Sequence, residues 1–97
     1  MSEAEKVFLG VSTFRLGTDK EAALKPLEEA AEVYAEWQIY VNADTDFMRE
    51  LSWGPQLAYE LADCVTACCN LAARCGLDLQ AAIDRVEQRN RERGRYE

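Results

Sequence analysis

Acidic side chains are concentrated in two stretches of this 97-residue chain, and both stretches have the period of an α-helix. The stretch LEEAAEVYAEW places Glu29, Glu32 and Glu36 within about 60° of one another around a helix axis. The stretch YELADC places Glu60 and Asp63 one helical turn apart. Neighbouring carboxylates repel each other, so a fold that brings the two stretches together needs a cation to offset the charge.

Cations are scarce around the first acidic stretch. No lysine or arginine occurs between residues 27 and 48, and Lys25 is the nearest cation on that helix. A single acidic pair with this spacing is typical of a solvated helix face, whereas two pairs on separate helices without cations favour a metal site. Antiparallel packing of the two helices would bring four carboxylates into one small volume.

Magnesium is the ion that such a cluster predicts. It is a hard cation that takes oxygen ligands at about 2.0–2.1 Å and keeps positions open for water and substrate phosphates. Two such ions about 3.5–4 Å apart would lower the pKa of a bound water and neutralise phosphoryl oxygens. Mn²⁺ is the expected substitute. The chemistry indicated is hydrolysis at phosphorus, with a plain solvated acidic surface as the competing interpretation.

Capping signals and apolar periodicity predict three helices. Thr18 followed by Glu21 forms a capping box, so the first helix is expected from about Asp19 to about Val41. Pro26 is expected either to kink this helix or to mark the start of its regular part. The side of this helix expected to be buried carries Leu24, Leu27, Ala31, Tyr34 and Gln38/Val41.

The second helix is expected from Gln56 to Arg74. Residues 42–53 before it are expected to form a connection, with or without one helical turn, and Gly54-Pro55 is expected to interrupt regular structure. Gly76 should stop it, and Asp78 should cap a third helix. The four cysteines share one helix without any histidine, so a reduced apolar stripe is favoured over a zinc site. The positions expected to be buried are Leu57, Leu61, Cys64/Val65, Cys68, Leu71 and Cys75 on the second helix, and Leu79, Ala82, Ile83 and Val86 on the third.

Three helices with short connections predict an all-α chain, with residues 1–17 as an irregular lead-in and residues 18–97 as one helical domain. A chain of this length buries a modest fraction of its surface. We therefore expect an antiparallel helical bundle whose core is completed by homo-oligomerisation.

Charge and hydropathy limit the classes of partner. With 18 acidic and 11 basic residues the net charge is −7, which disfavours binding to polymeric nucleic acid. No apolar run reaches the roughly 20 residues of a membrane helix, and the start lacks a secretory signal, so we expect a cytoplasmic protein without a membrane partner. The arginine-rich residues 85–97 carry +2 and are interpreted either as a phosphate-binding end or as a solvated helix end.

Glu28-Glu29-Ala30-Ala31-Glu32, followed by Glu60-Leu61-Ala62-Asp63, resembles the EExxE…ExxD signature of the MazG-like, all-α nucleotide pyrophosphohydrolases. The arginine-rich segment around Asn90 is similar to the closing helix of short members of that family. The resemblance implies a dimer or tetramer that uses Mg²⁺ to cleave a nucleoside triphosphate between its α and β phosphates. It also implies that Glu28 orients water or braces the site, and that the magnesium ligands are Glu29, Glu32, Glu60 and Asp63.

For the substrate, a dNTP in nucleotide-pool housecleaning is the expectation that follows from this resemblance, while the favoured base and sugar stay open. Lys25 and Asn90 are expected at the phosphates, together with Arg91 or Arg93. Trp37 and Trp53 are expected either to stack on the base or to pack in a core or interface. The alternatives to an enzyme are a catalytically silent helical scaffold of the MazG-like type and a regulator that binds a nucleotide without cleaving it.

Overall fold

The computed structural model describes residues 7–97. A two-stranded antiparallel hairpin precedes the helices, with Val7 opposite Ser12 and Phe8 opposite Val11. Helices account for most of the described chain, so the predicted all-α class is confirmed, and none of the helices between residues 7 and 97 has the length and apolarity to cross a bilayer. The elements are β1 (Val7–Phe8), β2 (Val11–Ser12), α1 (Asp19–Val41), α2 (Asp46–Met48), a π-helical turn (Arg49–Trp53), α3 (Gly54–Arg74) and α4 (Leu79–Glu92).

The ends of α1 lie where the sequence predicts them. The Thr18 hydroxyl accepts a hydrogen bond from the Glu21 amide at 3.2 Å, and α1 begins at Asp19. At the other end the Asn42 side chain donates to the carbonyl of Gln38 at 2.7 Å. The helix runs through Pro26 without interruption, so this proline does not mark the start of the helix.

The second part of the connection between α1 and α3, residues 46–53, is helical. The Gly54 amide donates to the Arg49 carbonyl, which closes the π-helical turn. A Cβ on Gly54 would lie 2.9 Å from that carbonyl oxygen, so the absence of a side chain permits this close approach. Pro55 is tolerated because the first turn of a helix needs no amide donor there. Gly54-Pro55 thus begins α3 rather than interrupting regular structure.

Contacts at both ends show that α1 and α3 are antiparallel. At one end, Arg74 Nε of α3 lies 2.5 Å from Asp19 Oδ1 of α1. At the other end, Arg49, just before α3, donates to the Tyr40 carbonyl at 3.2 Å and lies over the Tyr40 ring. The two helices make the main helix–helix contact of the described chain, whereas α4 packs on α3 over a short stretch.

The face of α1 that packs inward is not the apolar face. Ala22 and Glu29 are buried and Lys25, Val33 and Glu36 are half-buried, at steps of three and four residues along one side. The prediction that the apolar side of α1 is buried is therefore wrong for the single chain. The side chains expected in the core are all exposed: Leu24, Leu27, Ala31, Tyr34, Gln38 and Val41.

The core of the single chain is built from small residues, because the helix pair has one seam and carboxylates occupy part of it. Its buried apolar members are Ala22, Ala67, Cys69, Ala72 and Ala73. The prediction of which positions on α3 and α4 are buried is only partly confirmed. Among the positions expected to be buried, Leu57, Cys64, Leu71, Leu79 and Ile83 are half-buried, whereas Leu61, Val65, Cys68, Cys75, Ala82 and Val86 are exposed.

The lead-in predicted as irregular contains the hairpin and folds back on the helices, although residues 1–6 of that prediction lie outside the described part. Val11 packs against the small core cluster of Cys69, Ala72 and Ala73. The Leu9 amide donates to Gln80 Oε1 at 3.0 Å, which joins the hairpin to α4. The lead-in thus covers one side of α3.

Candidate metal centre

Three carboxylates converge across the seam between α1 and α3. Glu29 projects from α1 and Glu60 and Asp63 project from α3, and one oxygen of each lies within 4.8 Å of the others. The antiparallel pairing explains the meeting, because residues one turn apart on α3 lie opposite a single position of α1. Ligand oxygens around Mg²⁺ lie about 3 Å from one another, so small side-chain movements would complete such a site.

Glu29 is the buried member of this group, with 8% of its surface exposed. Its Oε1 lies 3.4 Å from Lys25 Nζ. Its Oε2 is buried without a hydrogen-bond partner in the described structure, and the same holds for one oxygen each of Glu60 and Glu36. Burying a carboxylate oxygen without a partner is costly, so the Oε2 atoms of Glu29 and Glu60, which belong to the group of three, fit a cation better than they fit a purely structural role, whereas Glu36 lies outside that group.

Burial raises the pKa of the Glu29 carboxyl above its ordinary value, and the neighbouring Glu32 raises it further. Lys25 acts in the opposite direction but does not cancel the effect of burial. Glu32 itself is exposed and is not part of the group of three. Metal ligation by Glu32 therefore stays a prediction, while the structure brings together the other three expected ligands.

Lys25 pairs with both neighbouring acids of α1. Its Nζ lies 3.5 Å from Glu28 Oε2 as well as 3.4 Å from Glu29 Oε1. The hydrogen bond to Glu29 is the main reason that the pKa of Lys25 is raised. The lysine expected at a substrate phosphate thus neutralises part of the acidic group in this structure, and the exposed Glu28 lies beside it.

A cleft opens beside the acidic group, and we call it the acidic cleft. Lys25, Glu29 and Asp63 form its polar side. The sequence analysis did not predict the other lining residues. The lead-in has no periodic pattern, and the polar Asn70 within an apolar stretch of α3 is the signal that could have indicated this side of the cleft. The remaining lining residues are Phe14, Leu16, Thr66, Ala67 and Asn70.

The other residues expected to bind substrate lie outside the lining of the acidic cleft, as far as the described side chains show. Asn90 donates to the Tyr96 hydroxyl at 3.2 Å, within the C-terminal part of the same chain. Trp37 is exposed and stacks on Tyr34 with ring centroids 5.9 Å apart. The remaining three are the half-buried Trp53 and the exposed Arg91 and Arg93.

The acidic group can bind a divalent cation through oxygen ligands and, with Lys25 beside it, can attract a phosphate ester to that cation. It offers no cysteine or histidine ligand, which favours a hard ion over zinc or copper. Comparison of the chain with protein-family models, with curated proteins and with solved structures finds no match.

Proposed function

We propose that the chain is a Mg²⁺-dependent nucleoside triphosphate pyrophosphohydrolase, with Glu29, Glu60 and Asp63 as metal ligands. The observation that carries the proposal is the buried Oε2 of Glu29, which has no hydrogen-bond partner in the described structure. The two carboxylates beside Glu29 add negative charge and provide no donor. A purely structural glutamate at that position would be expected to have a donor. Mn²⁺ would substitute for Mg²⁺ because it also favours oxygen ligands.

The residues around the acidic group support hydrolysis of a phosphoanhydride. When bound, Mg²⁺ would neutralise phosphate oxygens and acidify a water molecule. Lys25 lies one turn from Glu29 and would bind a phosphate once that carboxylate is engaged elsewhere. Glu28 is exposed beside Lys25 and would orient the attacking water or take its proton.

We further propose a free dNTP as substrate, with cleavage between the α and β phosphates to give a dNMP and pyrophosphate in nucleotide-pool housecleaning. The support for the bond and the substrate class is the match of Glu28, Glu29, Glu32, Glu60 and Asp63 to the EExxE…ExxD pattern. Asn90 and the arginines near it would reach the phosphates only with a rearrangement or from a second copy.

A homo-oligomer, either a dimer or a tetramer, is the form in which we propose that the chain acts. Leu27 is 69% exposed and Tyr34 is 60% exposed on the outer face of α1. On α3, Leu61 and Val65 are exposed as well. Large apolar side chains that recur along two helices are typical of a surface covered by another copy.

The test incubates the full chain with Mg²⁺ and each common NTP and dNTP, and identifies the phosphate product. Pyrophosphate is expected from at least one nucleotide, and Glu29→Gln and Asp63→Asn should abolish its release. Asp84→Asn is the matched control, because Asp84 lies on α4 and accepts a hydrogen bond from Gln80. Release of orthophosphate would contradict cleavage between the α and β phosphates. Absence of any phosphate product with every nucleotide would contradict the proposed enzymatic activity.

One observation favours a second candidate, a catalytically silent helical scaffold. The residues expected at the substrate phosphates, Asn90, Arg91 and Arg93, do not line the acidic cleft. In that case the cation would serve stability alone, so metal-dependent stabilisation would persist without turnover. A regulator that binds nucleotide without cleaving it would in addition show saturable nucleotide binding.

A further inference from the structure

The segment between the hairpin and α1 is held against α3 by two side chains of that helix. Asn70 Oδ1 accepts a hydrogen bond from the Phe14 amide at 2.8 Å, across 56 residues of sequence. Arg74, one turn further on, donates to the carbonyl of Leu16 and, at 2.9 Å, to that of Gly17. An irregular stretch of chain thereby has a defined path over α3.

Asn70 differs from its neighbours in chemistry and in burial. It is 4% exposed and lies among the small apolar residues of α3. A buried amide side chain in such surroundings needs hydrogen-bond partners, and the Phe14 amide is such a partner. This bond and the bonds of Arg74 to the Leu16 and Gly17 carbonyls together position the lead-in. Replacing Asn70 with an apolar residue would leave that backbone donor without its acceptor.

The same segment forms the apolar side of the acidic cleft. Phe14 and Leu16 line the cleft together with Glu29 and Asp63. Phe14 is 53% exposed, so much of its ring is accessible to a ligand. An exposed aromatic ring beside a cluster of metal-binding type is suited to pack against the part of a nucleotide that carries no phosphate.

We propose that Asn70 is a positioning residue for the acidic cleft: it holds the backbone at Phe14 and so fixes the Phe14 ring as part of the apolar wall that a bound nucleotide packs against. Arg74 holds the backbone at Leu16, the other member of that wall. This inference rests on the proposed function. Asn70 acts through the lead-in and ligates no metal, so its loss should weaken nucleotide binding while leaving the affinity for the metal alone unchanged.

The experiment compares wild-type chain with Asn70→Leu, Phe14→Ala and Asn42→Leu. Asn70→Leu removes the acceptor, whereas Phe14→Ala keeps the backbone amide and removes the ring. Asn42→Leu is the matched control, since Asn42 is an exposed asparagine at the end of α1 that bonds Gln38. Three quantities are measured: hydrogen exchange of the amide at position 14, Mn²⁺ affinity, and affinity for the α,β-imido analogues of dATP, dCTP, dGTP, dTTP and dUTP with Mg²⁺.

Because Asn70→Leu removes the acceptor, hydrogen exchange of the Phe14 amide should become at least about fivefold faster. The affinity for the analogue that wild type binds most tightly should fall by about fivefold to tenfold. Phe14→Ala should weaken the same analogue to a similar extent while exchange stays slow. Affinity for Mn²⁺ should stay within about twofold in both variants, and Asn42→Leu should match wild type in all three measurements.

Several outcomes would overturn the inference. Fast exchange of the Phe14 amide in wild type would show that Asn70 does not hold it, and this measurement does not depend on whether Asn70→Leu folds. Unchanged analogue binding in Phe14→Ala, which alters an exposed side chain, would remove the proposed wall. If wild type binds no analogue, both the proposed function and this inference are contradicted. If wild type binds an analogue and the variants bind it with the same affinity, only this inference is contradicted.

Discussion

Glu29 of α1 and Asp63 of α3 present carboxylate oxygens within 4.8 Å of each other across the seam of two antiparallel helices. Glu60 joins them from the preceding turn of α3, and Lys25 is the one cation among the side chains lining the cleft. One lysine cannot neutralise three carboxylates, so Glu29, Glu60 and Asp63 repel one another, and a bound divalent cation would reduce that repulsion.

Metal binding should therefore stabilise the folded chain. At a free Mn²⁺ concentration ten times the Kd, the expected gain in the free energy of unfolding is about 1.4 kcal/mol, which corresponds to a rise in Tm of roughly 7 °C for a chain of this size. Thermal unfolding in Mn²⁺ and in EDTA measures it. Glu60→Gln should abolish the difference between the two conditions, whereas Asp84→Asn should retain it; an equal response of both variants would contradict the assigned ligands.

The raised pKa of Glu29 predicts a pH dependence of stability in the metal-free chain. The folded chain holds its proton above the ordinary pKa of 4.5, where the unfolded chain has lost it. Protonated Glu29 therefore makes its full contribution to the free energy of unfolding when the pH is below the ordinary pKa. This contribution is lost as the pH rises through the raised pKa of the folded chain. Urea unfolding across this range in EDTA should show a smaller decline for Glu29→Gln than for wild type. Parallel curves for the two proteins would argue against the burial of this carboxyl.

The exposed face of α1 predicts association between copies. Leu27 is 69% exposed in the single chain, so Leu27→Glu should leave folding intact. The added charge would be buried in an interface between copies, so the oligomer should dissociate. Sedimentation velocity should give a mass of at least two chains for wild type and of one chain for the variant. Leu77→Glu is the control, because Leu77 is also exposed but lies in the turn before α4. A monomeric wild type would contradict the proposed assembly.

Arg74 should contribute to stability more than an ordinary surface arginine does. Its guanidinium binds two backbone carbonyls of the lead-in and the Asp19 carboxylate, and it holds the pKa of that carboxyl below its ordinary value. Arg74→Met should lower the free energy of unfolding by about 2 kcal/mol, because the two carbonyls lose a charged donor. Urea unfolding measures this loss, and Arg95→Met, which changes an exposed arginine near the C-terminus, should change it little.

Local signals in the sequence were sufficient for the ends of α1 and for the turn into α4, but not for the helical residues 46–53 or for the start of α3 at Gly54. The capping box at Thr18 predicted the start of α1, and Asp78 and Gly76 marked the turn into α4, because caps depend on a few adjacent residues. The acidic spacing also predicted the meeting of Glu29 with Glu60 and Asp63. The meeting of the carboxylates follows from the fixed geometry of a helix once antiparallel packing is assumed, whereas the caps need no such assumption.

Periodicity could not tell which face of α1 packs against α3. It favoured the side with Leu27 and Tyr34, whereas the structure turns Ala22 and Glu29 inward. A pattern of apolar residues shows that a face will be covered, but it does not say whether the cover is the same chain or another copy. Nor does local sequence predict a contact such as Phe14 with Asn70, because 56 residues separate the two partners.

The sequence by itself thus determined the two ends of α1, the turn into α4 and which carboxylates share a helix side, since these depend on neighbours a few residues away. Only the tertiary structure decided that Ala22 and Glu29 turn inward while Leu27 and Tyr34 stay exposed, and that the lead-in lines the cleft beside Glu29. Both features depend on contacts between segments that lie far apart in the sequence, such as Glu29 with Asp63 and Phe14 with Asn70, and no local pattern specifies such contacts.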